Sequence, residues 1–217
     1  MKLFIDSGHI PDIEALVPLG IIDGVTTNPS LLAKEKGEPR AIIKQICRLV
    51  QGPVSAEVVA TDAAGMIAEG RELAKIDEHV VVKVPFTREG LKATKALADD
   101  GLRVNVTLIF TTPQALFAAK VGAAYVSPFA GRLDDIASDG MGLVRQIVEA
   151  FSQYDFPTEV LAASIRGPLH LVEAARMGAH VCTCPPAVIE ACLKHPLTDS
   201  GLAKFLKDWE QAQAARV

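Results

Sequence analysis

Several features that assign a chain to a broad class are missing from this sequence of 217 residues. It has no apolar run of about 18 residues, the length that a membrane span needs. Its N-terminal stretch, MKLFIDSGHI, lacks the apolar core of a secretion signal. A strong positive charge is also missing, since the net charge is −4, which argues against binding to nucleic acid or to an anionic membrane. The balance of residues is that of an ordinary soluble enzyme.

A cysteine framework and a metal motif are absent as well. The four cysteines, Cys47, Cys182, Cys184 and Cys192, lie in apolar surroundings without paired spacing, which predicts a reducing, cytoplasmic compartment. Zinc sites usually need four ligands, and no second ligand pair follows Cys182 and Cys184. The histidines are scattered, and none forms an H-x-H at a strand end. We therefore predict no metal site, with a metal-dependent barrel hydrolase as a distant alternative.

What the sequence does contain is a regular alternation of short apolar runs and helical patterns. The runs predict eight strands, at residues 2–6, 24–27, 53–59, 80–85, 104–110, 124–129, 159–164 and 180–184. Glycines stand where the intervening helices are expected to end, at Gly101, Gly122 and Gly178. Short β-branched strands that are each followed by a helix are typical of parallel βα units.

Eight βα units form either a closed barrel or a large open sheet. The dinucleotide fingerprint G-x-G-x-x-G is absent after the first strand, which favours the barrel. We therefore predict a single (β/α)8 barrel domain over residues 1–217, because no linker divides the chain. Residues 200–217 predict an additional C-terminal helix, whose apolar side (Phe205, Leu206 and Trp209) packs on its own barrel or on a neighbouring subunit.

Polar side chains concentrate at late positions of the predicted strands, where barrel sites are built. They are Asp6, Thr26, Asn28, Glu57, Lys83, Asn105, Thr107, Ser127 and Ser164. Each has an ordinary alternative: Asp6 could cap the next helix, Glu57 could pair with a surface lysine, and a hydroxyl could simply pack. Their conjunction at equivalent positions favours one shared site, because unpaired burial of such groups costs about 1–3 kcal/mol each.

Lys83 is the most unusual of these residues, because it lies inside the apolar run VVVKVPFT (80–87). Strand alternation puts it on the face of Val81 and Pro85, inside the barrel; the alternative is an outward side chain that reaches solvent between helices. Burial disfavours the charged form of an amine, and an uncharged amine forms a Schiff base with a ketone. Asp6 and Glu57 would then transfer protons. The groups that would orient the ketone are Asn28, Asn105, Thr107 and Ser127.

Two arginines indicate a phosphate on the substrate. Arg132 follows the sixth strand in SPFAGR, and Arg166 follows the seventh in AASIRG, beside Ser164. The planar guanidinium group matches phosphate geometry, and a helix N-terminus also favours an anion. We predict a phosphate site at the barrel mouth, with ordinary surface arginines as the alternative.

Five segments, taken in order, closely resemble the transaldolase family. They are DGVTTNPSLL (23–32), VVVKVPFT (80–87), VNVTLIFT (104–111), YVSPFAGR (125–132) and LAASIR (161–166). The resemblance covers almost the whole chain, and the length is similar to that of the small subfamily that includes fructose-6-phosphate aldolases. It implies a Schiff-base enzyme on an α/β barrel without a metal or organic cofactor. It also implies sugar-phosphate substrates and a homo-oligomer, either a pentamer or a decamer.

The resemblance implies a role for each matching residue. Lys83 is the Schiff-base lysine, and Asp6 acts as acid and base on the hydroxyl at the cleaved bond. Glu57 works with a catalytic water that Thr107 helps to position. The dihydroxyacetone unit is bound by Asn28, Asn105 and Ser127, and the phosphate by Arg132, Ser164 and Arg166. Thr26 and Phe129 share strand faces with Asn28 and Ser127 and complete the predicted substrate-binding residues.

Two positions separate the branches of this family. The resembling fructose-6-phosphate aldolases have glutamine at the position of Glu57 and tyrosine at that of Phe129. The residues present here imply transfer of a dihydroxyacetone unit from sedoheptulose 7-phosphate to glyceraldehyde 3-phosphate, in the non-oxidative pentose phosphate pathway. Two alternatives stay open: a fructose-6-phosphate aldolase, and a sugar-phosphate-binding barrel without catalysis.

Overall fold

Eight parallel strands close into a barrel in the computed structural model, which describes residues 1–215. The strands are β1 (Lys2–Asp6), β2 (Gly24–Thr26), β3 (Val54–Glu57), β4 (Val80–Pro85), β5 (Val104–Ile109), β6 (Tyr125–Pro128), β7 (Glu159–Ala162) and β8 (Val181–Cys184). Each strand pairs with the next along the chain, and β8 closes on β1. The predicted (β/α)8, or TIM, barrel is confirmed. The strands β1 and β4 have the predicted bounds, whereas the other six strands are each shorter than predicted.

The helices surround this barrel. They are α1 (Ile10–Leu16), α2 (Pro29–Leu32), α3 (Pro39–Val50), α4 (Ala63–Ala74), α5 (Arg88–Asp99), α6 (Thr112–Lys120), α7 (Ala130–Asp134), α8 (Gly140–Ser152), α9 (Pro168–Met177), α10 (Pro186–Leu193) and α11 (Pro196–Ala214). Gly101, Gly122 and Gly178 follow α5, α6 and α9 with φ of 80°, 93° and 80°. These left-handed glycines confirm the predicted helix ends.

Alternation along each strand separates two apolar regions. Val82 and Val84 face outward into the large core between strands and helices. A smaller cluster fills the barrel interior below the mouth, and we call it the apolar floor: Phe4, Val81, Tyr125, Leu161, Ala163 and Val181. Gly24 permits this packing, because a Cβ there would lie 2.6 Å from the Phe4 ring. Lys83 shares the interior face with Val81, as predicted.

The last helix, α11, leaves the barrel surface. It begins four residues before the predicted boundary at 200, and its predicted end at 217 lies outside the described residues. Phe205, Leu206 and Trp209 are 71%, 55% and 60% exposed. The apolar side of α11 therefore does not pack on its own barrel. Within residues 1–215, no helix is long and apolar enough to cross a membrane.

Candidate active site

The strand register brings the predicted polar residues to one level. Glu57 on β3 is paired with Lys83 on β4, and Lys83 is paired with Asn105 on β5. In the same way, Asp6 on β1 is paired with Thr26 on β2. Side chains from different strands therefore meet above the apolar floor because the strands are parallel and in register.

Lys83 is 4% exposed, and its ammonium lies inside the barrel. Its Nζ atom lies 3.0 Å from Oε2 of Glu57 and donates a hydrogen bond of 3.0 Å to the carbonyl oxygen of Thr27. The alternatives of an outward lysine and of a Glu57 paired with a surface lysine are therefore wrong. A carboxylate in direct contact is the group that would accept a proton from this amine.

Asp6 occupies a different environment from Glu57. Its Oδ1 atom accepts a hydrogen bond of 2.8 Å from the Thr26 hydroxyl. Burial raises the pKa of Asp6, while the Thr26 hydrogen bond and the charge of Lys83 oppose that rise. Helix α1 is preceded by His9 at its N-cap position, so the alternative that Asp6 caps this helix is wrong. A carboxyl with a raised pKa is suited to carry a proton between two steps of a reaction.

A cavity of about 290 Å³ opens above these residues. All of the predicted site residues except Glu57 and Asn105 line it: Asp6, Thr26, Asn28, Lys83, Thr107, Ser127, Phe129, Arg132, Ser164 and Arg166. This size suits a small metabolite. One cavity thus joins the lysine, a carboxylate and both arginines.

The two exceptions lie behind the cavity wall. Glu57 contacts Lys83 and also lines a separate surface depression with Arg40. Asn105 is fully buried, where its Nδ2 donates to Ser55 Oγ at 3.1 Å and its Oδ1 accepts from Ser127 Oγ at 2.7 Å. Asn105 therefore positions Ser127 from behind, and direct contact with a substrate stays a prediction.

Asn28 and Thr107 offer polar groups to the cavity. The Oδ1 of Asn28 accepts from Leu31 N at 2.9 Å and caps α2, which leaves its amide N–H groups to a ligand. Thr107 Oγ1 is the one buried side-chain polar atom in residues 1–215 that has no hydrogen-bond partner. Beside it, Leu108 has φ of 57°, where the β5–β6 register shifts. Strain and an unpaired hydroxyl together indicate a binding position.

Both arginines line the cavity, Arg132 from α7 and Arg166 from the loop before α9. Arg166 is ion-paired with Asp135 at 2.5 Å, and the Arg132 guanidinium lies 5.1 Å from the centre of the Phe129 ring. The prediction that Ser164 closes β7 is wrong. The strand ends at Ala162, and Ser164 follows it by two residues with φ of 60°. Its carbonyl accepts from Gly131 N at 3.1 Å, and a Cβ on Gly131 would lie 2.1 Å from that oxygen.

Sequence reasoning missed several contacts. Thr183 on β8 lines the cavity, and its hydroxyl oxygen lies 2.6 Å from the hydroxyl oxygen of Thr26. The alternation that identified Thr26 also applies to Thr183 in HVCTC, so a signal was present. Asp135 belongs to no strand, and nothing in the sequence indicated that it pairs with Arg166.

The structure also bears on the cysteines. Cys182 and Cys184 lie with their sulfur atoms 3.6 Å apart. The pKa of the Cys182 thiol is raised, first by its hydrogen bond to Cys184 and then by burial. Within residues 1–215 no group of three or more histidine, cysteine or acidic side chains is arranged to hold a metal ion.

Fold and site together define a barrel protein with a lysine-centred site at the carboxyl ends of its strands. The chain belongs to the Transaldolase/Fructose-6-phosphate aldolase family, whose sequence profile matches residues 3–216. It is an enzyme family, and the resemblance of the five motifs is thereby confirmed.

Individual relatives agree with this assignment over nearly their full length. The chain is 55% identical to "Probable transaldolase" of Desulfosudis oleivorans, across 98% of this chain and 100% of the relative. It is 56% identical to "Probable transaldolase" of Kosmotoga olearia, with 97% of each chain covered. Among solved structures, thiamine phosphate pyrophosphorylase from Pyrococcus furiosus has a TM-score of 0.60 at 16% identity, with 86% of each chain covered. That likeness shows the barrel fold alone.

Proposed function

We propose that this protein is a transaldolase that moves a dihydroxyacetone unit between sugar phosphates through a Schiff base on Lys83. The observation that supports the proposal is the position of the Lys83 amine, buried, in contact with Glu57 and open to the same cavity as Asp6 and two arginines. Sedoheptulose 7-phosphate and fructose 6-phosphate are the proposed donors. Glyceraldehyde 3-phosphate and erythrose 4-phosphate are the proposed acceptors, as in the non-oxidative pentose phosphate pathway.

The first half of the reaction forms the imine. Glu57 takes a proton from the ammonium of Lys83, and the free amine attacks C2 of the ketose. The resulting carbinolamine loses its hydroxyl as water when Glu57 returns a proton to it. A water molecule held by the free hydroxyl of Thr107 would relay that proton. The product is a protonated imine, which accepts an electron pair from the neighbouring carbon.

The second half breaks and remakes a carbon–carbon bond. Asp6 takes the proton of the C4 hydroxyl, and the electron pair of the C3–C4 bond moves into the imine. The shortened aldose leaves, and an enamine stays on Lys83. When an acceptor aldehyde arrives, C3 attacks its carbonyl carbon and Asp6 returns the proton to the new hydroxyl. Hydrolysis of the imine then releases the product ketose.

The phosphate of donor and acceptor is proposed to bind Arg132, Ser164 and Arg166. These residues line the cavity that contains Lys83, and Arg166 lies in the loop just before the N-terminus of α9. The carboxylate of Asp135 already holds the Arg166 guanidinium at this position. Phosphate groups on the substrate would therefore meet a fork of donors with a restricted orientation.

Two residues favour transfer over simple cleavage. Phe129 lines the cavity and packs edge-on against Phe110, with ring centres 6.0 Å apart, so it presents no hydroxyl to the imine. Glu57 contacts Lys83 as a carboxylate rather than as an amide. Without a further proton donor, the enamine persists until an aldehyde arrives. The alternative, a fructose-6-phosphate aldolase, needs release of free dihydroxyacetone.

The test is a turnover assay with fructose 6-phosphate, in the presence and absence of erythrose 4-phosphate. We expect sedoheptulose 7-phosphate to form only when the acceptor is present. Without acceptor, at most one dihydroxyacetone unit per active site should be retained. Steady release of free dihydroxyacetone over many turnovers would contradict the transferase proposal and support the aldolase. A barrel that only binds sugar phosphates would release neither product.

We also propose that the apolar side of α11 docks on a second copy of this chain, giving a homo-oligomer. None of the α11 side chains is buried, and Leu202, Phe205, Leu206 and Trp209 are all exposed. Light scattering should report a mass several times that of the 23.1 kDa chain. Trp209→Glu should lower that mass. A wild-type protein that stays monomeric at every concentration would contradict the proposal.

The compartment proposed for the enzyme is the reducing cytoplasm. All four cysteines are free, and Cys47, Cys182 and Cys184 are buried as thiols. Burial raises the pKa of the Cys47 thiol to about 12, which keeps it protonated and unreactive. Cell fractionation with an antibody to the protein would test this proposal.

A further inference from the structure

Thr183 is the polar residue of the site to which no role has been given so far. It lies on β8, next to the end of the strand, and its side chain faces the cavity while only 2% of its surface is exposed. Its hydroxyl oxygen lies 2.6 Å from that of Thr26. Thr26 in turn reaches Asp6 at 2.8 Å. Three residues from three strands therefore form one chain of hydrogen bonds.

The direction of this chain follows from the number of protons. A threonine hydroxyl has one proton, and Thr26 donates it to the Asp6 carboxylate. The short contact between the two threonines must then use the proton of Thr183, with Thr26 as the acceptor. Thr183 thus holds the Thr26 hydroxyl in the orientation that faces Asp6, and hydrogen bonds that follow one another strengthen each other.

We propose that Thr183 is a positioning residue for Asp6, acting through Thr26. The proposal rests on the proposed role of Asp6 as the group that carries the proton of the cleaved C4 hydroxyl. The hydrogen-bond chain engages Oδ1, and in residues 1–215 no side chain or backbone group donates to Oδ2. Thr183 therefore helps to fix the carboxylate so that Oδ2 faces the cavity as the base.

Besides the hydrogen bonds from Thr183 and Thr26, few charged groups affect the pKa of Asp6. Lys83, on β4, is the charged group whose field acts on Asp6, and Glu57 on β3 lies in contact with Lys83. The neighbouring strands β2 and β8 present hydroxyls, from Thr26 and Thr183. Burial raises the pKa of Asp6, and the Thr26 hydrogen bond is one of the two interactions that lower it. If that hydrogen bond weakens, the pKa of Asp6 rises further and Asp6 becomes protonated at higher pH.

The test compares Thr183→Val, which has the same shape without the hydroxyl, with Thr183→Ser, which keeps the hydroxyl. We expect Thr183→Val to lower kcat about tenfold. General acid–base catalysis accelerates a reaction about 10²–10⁴-fold, and this variant should lose only part of the contribution of Asp6. Its acid limb of kcat against pH should move to higher pH. KM for fructose 6-phosphate should change little. Thr183→Ser should restore the wild-type profile.

Borohydride trapping with fructose 6-phosphate separates this effect from misfolding. Imine formation does not need Asp6, so Thr183→Val should trap on Lys83 as fast as the wild type while it transfers slowly. If Thr183→Val does not fold, Thr183→Ala serves in its place with the same expected results.

An unchanged kcat and pH profile in a folded Thr183→Val would overturn the proposal and leave Thr183 as a wall residue. A pH profile that Thr183→Ser fails to restore would also overturn it. If the wild-type protein transferred nothing, the proposed function would be contradicted, whatever the Thr183 variants did. The two failures are therefore distinct.

Discussion

The interior of the barrel has two layers that meet opposite requirements. The apolar floor contains Phe4 and Val81, two fully buried apolar side chains beneath the site. The layer above it contains the ion pair of Lys83 and Glu57 and the unpaired hydroxyl of Thr107. The floor stabilises the fold, whereas the upper layer holds groups whose burial costs free energy and whose chemistry needs that burial.

The largest expected effect comes from removing the lysine of the upper layer. Lys83→Met should abolish transfer, because no other lysine among residues 1–215 lines the cavity. It should also lower the free energy of unfolding by roughly 3 kcal/mol, since Glu57 loses its partner in a mostly buried position. Lys95→Met is the matched control, because Lys95 pairs with Asp99 on the surface. Transfer activity left in Lys83→Met would contradict the account.

Removal of the charge on Asp6 should be the next largest effect on activity. Asp6→Asn should lower kcat about 100-fold or more, because the amide takes no proton from the C4 hydroxyl. The imine should still form on Lys83, since Glu57 is intact. Steady-state transfer and borohydride trapping, measured side by side, check both statements. Equal losses of trapping and transfer would show that Asp6 acts before bond cleavage.

The floor should respond in stability rather than in chemistry. Phe4→Ala should lower the free energy of unfolding by about 3–5 kcal/mol, through lost burial and a cavity beneath the site. Chemical denaturation measures this loss. Phe117→Ala on α6 removes an exposed ring and is the control, with little expected effect. The contrast between the layers would fail if the floor variant kept its stability but lost imine formation.

A smaller change is expected from a hydroxyl placed beside the imine. Phe129→Tyr should raise the release of free dihydroxyacetone from fructose 6-phosphate several-fold, because the new hydroxyl can donate a proton to the enamine. Transfer should largely persist. Phe110→Tyr is the control, because Phe110 packs against Phe129 but does not line the cavity. If both variants released dihydroxyacetone equally, the position of the hydroxyl would not matter.

The smallest expected effect is a pH dependence of stability at Asp6. The pKa of this carboxyl is raised in the folded protein, mainly by burial. The folded state therefore binds the proton more readily than the unfolded state, and stability falls as pH rises through the raised pKa. Asp6→Asn removes that loss, so its stability relative to wild type should increase from acidic to neutral pH. Thermal unfolding at several pH values measures the difference, and the opposite trend would refute it.

The alternation of side chains made much of this site predictable. Lys83, Asp6 and Thr26 each lie late in a strand, and strand geometry alone puts them inside the barrel. Eight βα units with late polar residues likewise indicate a closed barrel with one site.

Other features depend on contacts between distant parts of the chain. Strand alternation places Thr183 inside the barrel, but its contact with Thr26, 2.6 Å between hydroxyl oxygens, joins residues that are 157 positions apart in the sequence. Leu108 and Ser164 adopt left-handed conformations without the glycine that usually signals them. The ion pair of Asp135 with Arg166 and the exposure of the apolar side of α11 depend on how distant parts of the chain are placed. Local periodicity in the sequence does not determine that placement.

The most direct test of the central claim is borohydride reduction of the wild-type protein with fructose 6-phosphate, followed by peptide mass spectrometry. We expect a reduced dihydroxyacetone adduct on the peptide that contains Lys83, and on no other lysine. It should disappear when erythrose 4-phosphate is added in excess before the reductant. A protein that turns over sugar phosphates without any adduct on Lys83 would contradict the Schiff-base mechanism.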